Sequence, residues 1–185
     1  MLPVKTGEVR IIGGAWRSRR IRFPDRPGLR PTPDRVRETL FNWLGQDLTG
    51  KHCLDLYAGS GALGFEAASR GAKHVIMVER DAAVLQALRA NSEALQATAV
   101  EVVRADALEF LKNHHGRYDV VFLDPPFADG HWPQLLAELP AILAHGGLVY
   151  CERAQALDVL QGWEIVKSGR AGQVNHQLLK RTEHE

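Results

Sequence analysis

Asp124-Pro125-Pro126-Phe127 is the stretch whose residue types point most directly at a reaction. An exocyclic amino nitrogen on a nucleobase is a poor nucleophile, because its lone pair is delocalised into the ring. Two acceptors aimed at its two hydrogens draw it toward tetrahedral geometry and free the lone pair. The Asp124 carboxylate and the Pro125 carbonyl can be those acceptors. Pro125 and Pro126 stiffen the loop, so the acceptors need no reorganisation during the reaction. Phe127 can stack on the base and hold its plane. The chemistry this suits is methylation of an amino group, in which the donor lies alongside and catalysis is chiefly positioning. Asp124 need not be a strong base, since the proton leaves readily once nitrogen becomes cationic. Taken alone, the tetrapeptide is equally well a loop breaker after a strand.

Its companions favour the chemistry. Gly59-x-Gly61-x-x-Gly64 lies between a strand over residues 52–57 and a helix over 62–70. Glycines there permit a tight turn and close approach of a ligand to the backbone. The first amides of the helix then have no intrahelical partner and face that space. Glu79 ends an apolar strand 20 residues after Gly59, where a nucleoside-binding fold places a carboxylate on ribose hydroxyls. Asp106 follows the strand Val100–Arg104; it can accept from an adenine amino group, cap the helix that begins at Ala107, or do both. Asp55 can orient the glycine loop, reach a cofactor's amino-acid end, or simply bond loop amides as a buried polar residue. The candidate cofactor set is Asp55, Tyr57, Ala58, Gly59, Ser60, Gly61 and Gly64, with Glu79, Arg80, Asp106, Ala107 and Asp124.

The elements that must position these residues alternate strand and helix from residue 52 onward. Strands are expected over 74–78, 100–104, 118–123 and 147–153, and helices from the Asp81 cap to about Leu95 and over about 107–111. A helix over 131–143 should be divided by Pro140. Segments 163–168 and 174–181 read as a terminal antiparallel hairpin. Alternation of this kind requires a mostly parallel sheet covered on both faces. Ligands bind beyond the carboxyl ends of such strands. Gly59, Glu79, Asp106 and Asp124 all follow strands, so they should gather along one edge of the sheet.

The start of the chain differs in character. Net charge is +1 overall, but residues 1–37 hold ten Lys/Arg against three Asp/Glu, a balance of +7, and the remainder carries −6. A strongly basic end on a near-neutral chain suits a polyanion. Residues 8–12, a two-residue turn at Gly13-Gly14, and residues 15–23 read as a basic hairpin that leans on something else for stability. On a strand, Arg17, Arg19 and Ile21 would share one face with Phe23, and neither face reads as a clean core. Arg10, Arg17, Arg19, Arg20, Arg22, Arg30 and Arg35 are the candidate phosphate contacts. Trp16 either stacks on a base or packs the hairpin. A rigid proline-rich connector spans 24–33. Thr32-Pro33-Asp34 then opens a helix, with the Thr32 hydroxyl as expected cap. Its apolar stripe is Val36, Leu40, Trp43 and Leu44, leaving Arg35 and Arg37 outside it.

Composition bounds the rest. With 185 residues and 45 % apolar content the chain suits one domain and a small appendage. No apolar run has membrane-spanning length, and the first residues lack a signal peptide's apolar core. Cys53 and Cys151 fall in strand-like runs, as buried reduced thiols of a cytoplasmic protein would. Neither follows a strand in a loop, which argues against cytosine C5 methylation through a cysteine nucleophile. The eight histidines show no helical metal-ligand spacing, so no metal is expected.

The run from Asp55 to Gly64, together with Asp124-Pro125-Pro126-Phe127, resembles class I S-adenosylmethionine-dependent methyltransferases acting on amino groups. Arg10 to Gly14, Trp16-Arg17, Gly28 to Thr32 and Asp34 to Leu44 narrow the resemblance to the RsmD family, the guanine-966 N2-methyltransferases of bacterial 16S ribosomal RNA. The resemblance implies a Rossmann-like seven-stranded sheet with the last strand antiparallel. It implies S-adenosylmethionine as donor and guanine N2 as acceptor, in rRNA already assembled or partly assembled into the small ribosomal subunit. Residues 1–33 would form the rRNA-binding hairpin and linker and 34–185 the methyltransferase domain, acting as a monomer. Two other functions compete. An adenine-N6 DNA or RNA methyltransferase would also use an Asp-Pro-Pro-aromatic loop, although the chain has no room for a separate domain that reads DNA sequence. A non-catalytic nucleic-acid-binding module would keep the fold without the reaction. A nicotinamide dehydrogenase is more distant, having no need of the tetrapeptide.

Overall fold

Alternation of arginine with apolar residues over 20–24 builds the first unit. In the computed structural model, which describes residues 5–126, 131–158 and 160–183, β1 (Thr6–Arg10) and β2 (Arg20–Pro24) pair antiparallel, with Val9 opposite Ile21. Val9, Ile21 and Phe23 are buried while Arg20 and Arg22 are exposed. Full burial of a side chain like Ile21 contributes about 1.5–3 kcal/mol. The hairpin therefore has one clean apolar face. The expected mixing of Arg17 and Arg19 with Ile21 fails because residues 15–19 are not strand. Gly13-Gly14 is likewise no two-residue turn. Ile11 dives into the core, and the amides of Ile12 and Gly13 leave the ladder to bond the Glu66 carboxylate at 2.9 and 2.8 Å. Gly14 has φ +79°, and a Cβ there would strike the Ser69 carbonyl.

The connector leads into α1 (Asp34–Trp43). Pro33 occupies the cap position, and the Thr32 hydroxyl does not cap; it bonds Glu152 instead. Arg35 is exposed, but Arg37 is wholly buried. Its guanidinium donates to the carbonyls of Thr32 and Arg10 and to the carboxylates of Asp34 and Glu66, at 2.6–3.2 Å. Glu66, also buried, receives Arg70 as well, at 2.9 Å. A buried charge is tolerable when every polar atom has a partner, and here each ion has several.

Then follow β3 (His52–Asp55), α2 (Ala62–Ser69), β4 (His74–Glu79), α3 (Ala82–Ala94), β5 (Val100–Arg104), α4 (Ala107–Asn113) and β6 (Tyr118–Leu123). Asp81 caps α3 through the amides of Ala83 and Val84, and Asp106 caps α4 through those of Leu108 and Glu109. α5 (Trp132–Glu138) ends in a 3₁₀ turn containing Pro140, and β7 (Leu143–Arg153) starts directly after it, earlier than the sequence suggested. The chain closes with β8 (Trp163–Ala171) and β9 (Val174–Arg181).

The seven-stranded sheet has the order β5-β4-β3-β6-β7-β9-β8. Pairings from β5 through β7 are parallel, and β9 runs antiparallel to both its neighbours. Side chains alternate across it: Cys53 enters the core beneath α2, α3 and the hairpin, and Leu54 enters the core beneath α4 and α5. The order reverses between β3 and β6, which opens a crevice at their carboxyl ends. No helix among the described residues is long and apolar enough to cross a membrane.

Candidate active site

A cavity of about 700 Å³ opens at that crevice, within the usual range of roughly 300–1,000 Å³ for small-molecule sites. Of the expected cofactor residues, Asp55, Tyr57, Ala58, Gly59, Ser60, Glu79, Arg80, Asp106, Ala107 and Asp124 all line it. Pro125 and Pro126 line it too, while Phe127 lies outside the described residues. Gly61 and Gly64 stand behind the wall. Gly61 is the N-cap of α2. Gly64 lets α2 approach β4, since a Cβ there would come within 2.9 Å of Met77.

The glycine loop is pinned from three sides. Ala58 donates to the Val78 carbonyl at 3.0 Å. Gly59 donates to Glu79 Oε2 at 3.0 Å, and Gly64 to Asp55 Oδ2 at 3.2 Å. Gly59 itself has φ +52°, and a Cβ there would meet Leu29 Cδ1 at 2.9 Å. Glu79 also accepts from the amides of Arg80 and Asp81 through Oε1. Of the carboxylate's roughly four acceptor sites, three are therefore committed, and the free one is on Oε2.

The sequence reading missed two parts of the site. One is the connector: residues 26–33 form a whole wall of the cavity, although none was expected there and Arg30 was expected as a phosphate contact. The proline density that marked it as rigid was the available signal. The other is Glu152, which lines the cavity beside Asp124 from near the end of β7. Nothing local in the sequence distinguishes it from any other acid near a strand end. Its Oε1 accepts from the Tyr150 hydroxyl at 2.7 Å and the Thr32 hydroxyl at 3.0 Å.

Crowding of acids sets the electrostatics. Burial raises the Asp55 carboxyl to about 7, with the charges of Glu79 and Glu152 adding to the shift and the amides of Gly64 and Tyr57 opposing it. Asp124 is pushed well above the ordinary carboxyl range, first by burial and then by the charges of Glu152 and Asp55. Burial raises Glu152 as well, against the hydrogen bonds from Tyr150, Thr32 and Asp124. Both carboxyls are thus held above the ordinary range, Asp124 the further. A cavity ringed by Asp55, Glu79, Asp106, Asp124 and Glu152 suits a ligand rich in hydroxyl and amino donors and bearing positive charge. S-adenosylmethionine, with its ribose hydroxyls, ammonium and sulfonium, matches that donor set and the available volume.

Cysteine chemistry does not fit. Cys53 and Cys151 are buried, and burial raises both thiols to about 12, so neither is a thiolate near neutrality. Among the described residues no group of three or more His, Cys, Asp or Glu could hold a metal ion.

Outside the cavity, the candidate RNA contacts fall into two groups. Arg17, Arg19, Arg20 and Arg22 are exposed on the hairpin and its loop. Arg20 and Arg22 both pair with Glu8, at 2.6 and 3.4 Å, and Arg19 donates to the Ala94 carbonyl at 3.2 Å. Arg10 pairs with Asp34 at 3.3 Å, and Arg35 is exposed on α1. Trp16 is half-buried against the core.

Comparison with known proteins gives a consistent result. The family model described as Conserved hypothetical protein 95 matches residues 9–180. The chain is 44 % identical over 181 residues to Ribosomal RNA small subunit methyltransferase D of Escherichia coli strain K12, covering 95 % of this chain and 91 % of that one. It is 41 % identical over 184 residues to the protein of the same name in Haemophilus influenzae, covering 95 % of each. The solved structure of Escherichia coli yhhF superposes with a TM-score of 0.87 at 42 % identity, covering 96 % of this chain and all of that one.

Proposed function

The chain belongs to the RsmD family, described as Conserved hypothetical protein 95, and from that membership we propose that it methylates the exocyclic N2 of a guanine in small-subunit (16S) ribosomal RNA. The observation that carries the proposal is the meeting of Asp124, Pro125, Glu79 and the glycine loop around one cavity. When bound, held by Glu79, Asp106 and the glycine loop, S-adenosylmethionine would supply the methyl group of its sulfonium. Everything else is done by the protein. Glu79 Oε2, already fixed by the Gly59 amide, has one acceptor site for a ribose hydroxyl. Asp106 holds the adenine amino group while still capping α4. The Asp124 carboxyl and the Pro125 carbonyl accept the two N2 hydrogens. Once methylated, the cationic N2 loses one proton to water.

Residues 1–33 serve as the rRNA-binding part and 34–185 as the methyltransferase domain. Arg17, Arg19, Arg20 and Arg22 present a positive surface to phosphates, continued by Arg10, Arg30 and Arg35. The protein acts as a cytoplasmic monomer, on rRNA assembled or partly assembled into the small subunit. The charge balance of +7 over residues 1–37 supports this placement of the RNA. Mass mapping of rRNA from subunits that lack the modification, after incubation with the protein and labelled donor, tests the reading. N2-methylguanosine at one position is the expected product. N6-methyladenosine would point to the adenine alternative, and no incorporation would point to the non-catalytic one.

A further inference from the structure

Glu152 takes no part in the transfer just described, yet it is held with care. Two hydroxyls from different elements, Tyr150 on β7 and Thr32 on the connector, bind its Oε1. Its carboxylate lines the same cavity as the Asp124 carboxyl, which its charge helps to push up. Burying an acid here is unfavourable without such partners, and it lines the cavity together with the reacting loop.

The chemistry of the two purine amino groups gives that placement a use. The clamp of Asp124 and Pro125 binds any exocyclic amine and does not tell guanine from adenine. Beside N2 of guanine lies N1–H, a donor. Beside N6 of adenine lies N1 without hydrogen, an acceptor. A second acceptor next to the clamp attracts the first and repels the second. We propose that Glu152 selects guanine by accepting the hydrogen bond from its N1–H while Asp124 and Pro125 hold the amino group. The proposal rests on the guanine-N2 reading. With guanine bound, N1–H donates to Glu152, and Asp124, any proton it carries being lost to water, accepts from N2.

The test uses rRNA substrates carrying guanine or 2-aminopurine at the methylated position. 2-Aminopurine keeps the reacting amine and lacks the N1 hydrogen. The intact enzyme should prefer guanine strongly. Glu152→Gln keeps an acceptor for Tyr150 and Thr32 but presents an amide donor in place of the second carboxylate oxygen. It should lower the guanine-to-2-aminopurine ratio of kcat/KM by at least about tenfold, the scale of one hydrogen bond to a charged group. A purely structural role would depress both substrates alike, and an unchanged ratio overturns the proposal while leaving the guanine-N2 reading intact. If the intact enzyme methylates adenine and not guanine, the function falls and this inference falls with it. Should Glu152→Gln fail to fold, Tyr150→Phe decides: loosening Glu152 should move the ratio the same way by a smaller factor, and no movement overturns the proposal.

Discussion

Replacing Asp124 separates two roles that a carboxyl at the reacting amine could have. If it acts as an acceptor that pyramidalises N2, what matters is an oxygen in the right place. If it acts as a base, what matters is the ability to take a proton. Asp124→Ala removes the oxygen altogether. Loss of one preorganised hydrogen-bonding group at a transition state lowers kcat by about 10²–10³, and the Pro125 carbonyl is the acceptor left. Asp124→Asn is the informative variant. Its amide keeps a carbonyl oxygen that can accept from the amine, and its nitrogen can face the Glu152 carboxylate. The acceptor survives and the charge assistance is lost, so a fall of less than about tenfold is expected. Single-turnover transfer of a labelled methyl group measures both. Donor affinity by calorimetry should change little in either, since Glu79, Asp106 and the glycine loop lie elsewhere on the cavity wall. Stability should not fall, because burial and the Glu152 charge both disfavour the Asp124 carboxylate. An Asp124→Asn enzyme as inactive as Asp124→Ala would refute the acceptor argument. A loss of donor affinity beyond tenfold would mean the loop had been assigned the wrong task.

Asp55 sets a pH dependence of stability. Its folded-state value of about 7 lies above its unfolded one, so the native state holds the proton longer. Its contribution is greatest below about pH 4 and is lost as pH rises toward 7, by on the order of 4 kcal/mol at about 1.4 kcal/mol per unit. Urea midpoints of the native chain and of Asp55→Asn should diverge across that window, and a pH-independent difference would contradict the assignment. Arg37→Met should destabilise by about 3–5 kcal/mol, because it strips the buried Glu66 of a charged partner. Adding Glu66→Gln should recover part of that, and a single-variant loss under about 1 kcal/mol would show the network to be dispensable. Neutralising Arg17, Arg19 and Arg20 together should weaken RNA binding and reduce the slope of log K against log salt by about 2. That is below the full value of roughly 0.7–0.9 per phosphate contact, since Arg20 must first leave Glu8. An unchanged slope in filter binding would remove the hairpin as a contact surface.

The parallel sheet and the convergence of Gly59, Glu79, Asp106 and Asp124 were legible because local pattern dictates them. Short apolar runs alternate with helical periodicity, and a parallel sheet has one ligand-binding end. The hairpin was misread because Gly13-Gly14 looks like a local turn signal. Its conformation is set by Glu66 and Ser69, more than fifty residues away. Arg37 was left outside the apolar stripe for a similar reason. Helical spacing places a side chain on a face, and it does not reveal that Glu66 waits on the other side. Glu152 was invisible for the same cause again: its meaning comes from Asp124, Tyr150 and Thr32 together.

Those long-range partners join at Thr32. Its carbonyl accepts from Arg37, whose other donors reach Arg10 on the hairpin and Glu66 on α2. Its hydroxyl donates to Glu152, which adjoins Asp124. The same short connector walls the cavity, with Leu29 against the glycine loop. The proposed boundary at residue 33 would therefore divide tasks without dividing the packing. Val9, Ile11, Ile21 and Phe23 belong to the same core as Cys53 and Phe122 of the sheet. A force that shifted the hairpin on binding RNA would reach Glu152, beside the clamp, through one buried guanidinium and three hydrogen bonds. Rigidity along that path would keep the acceptors of the Asp124 turn in register with a base whose RNA, on the proposed reading, the basic hairpin grips.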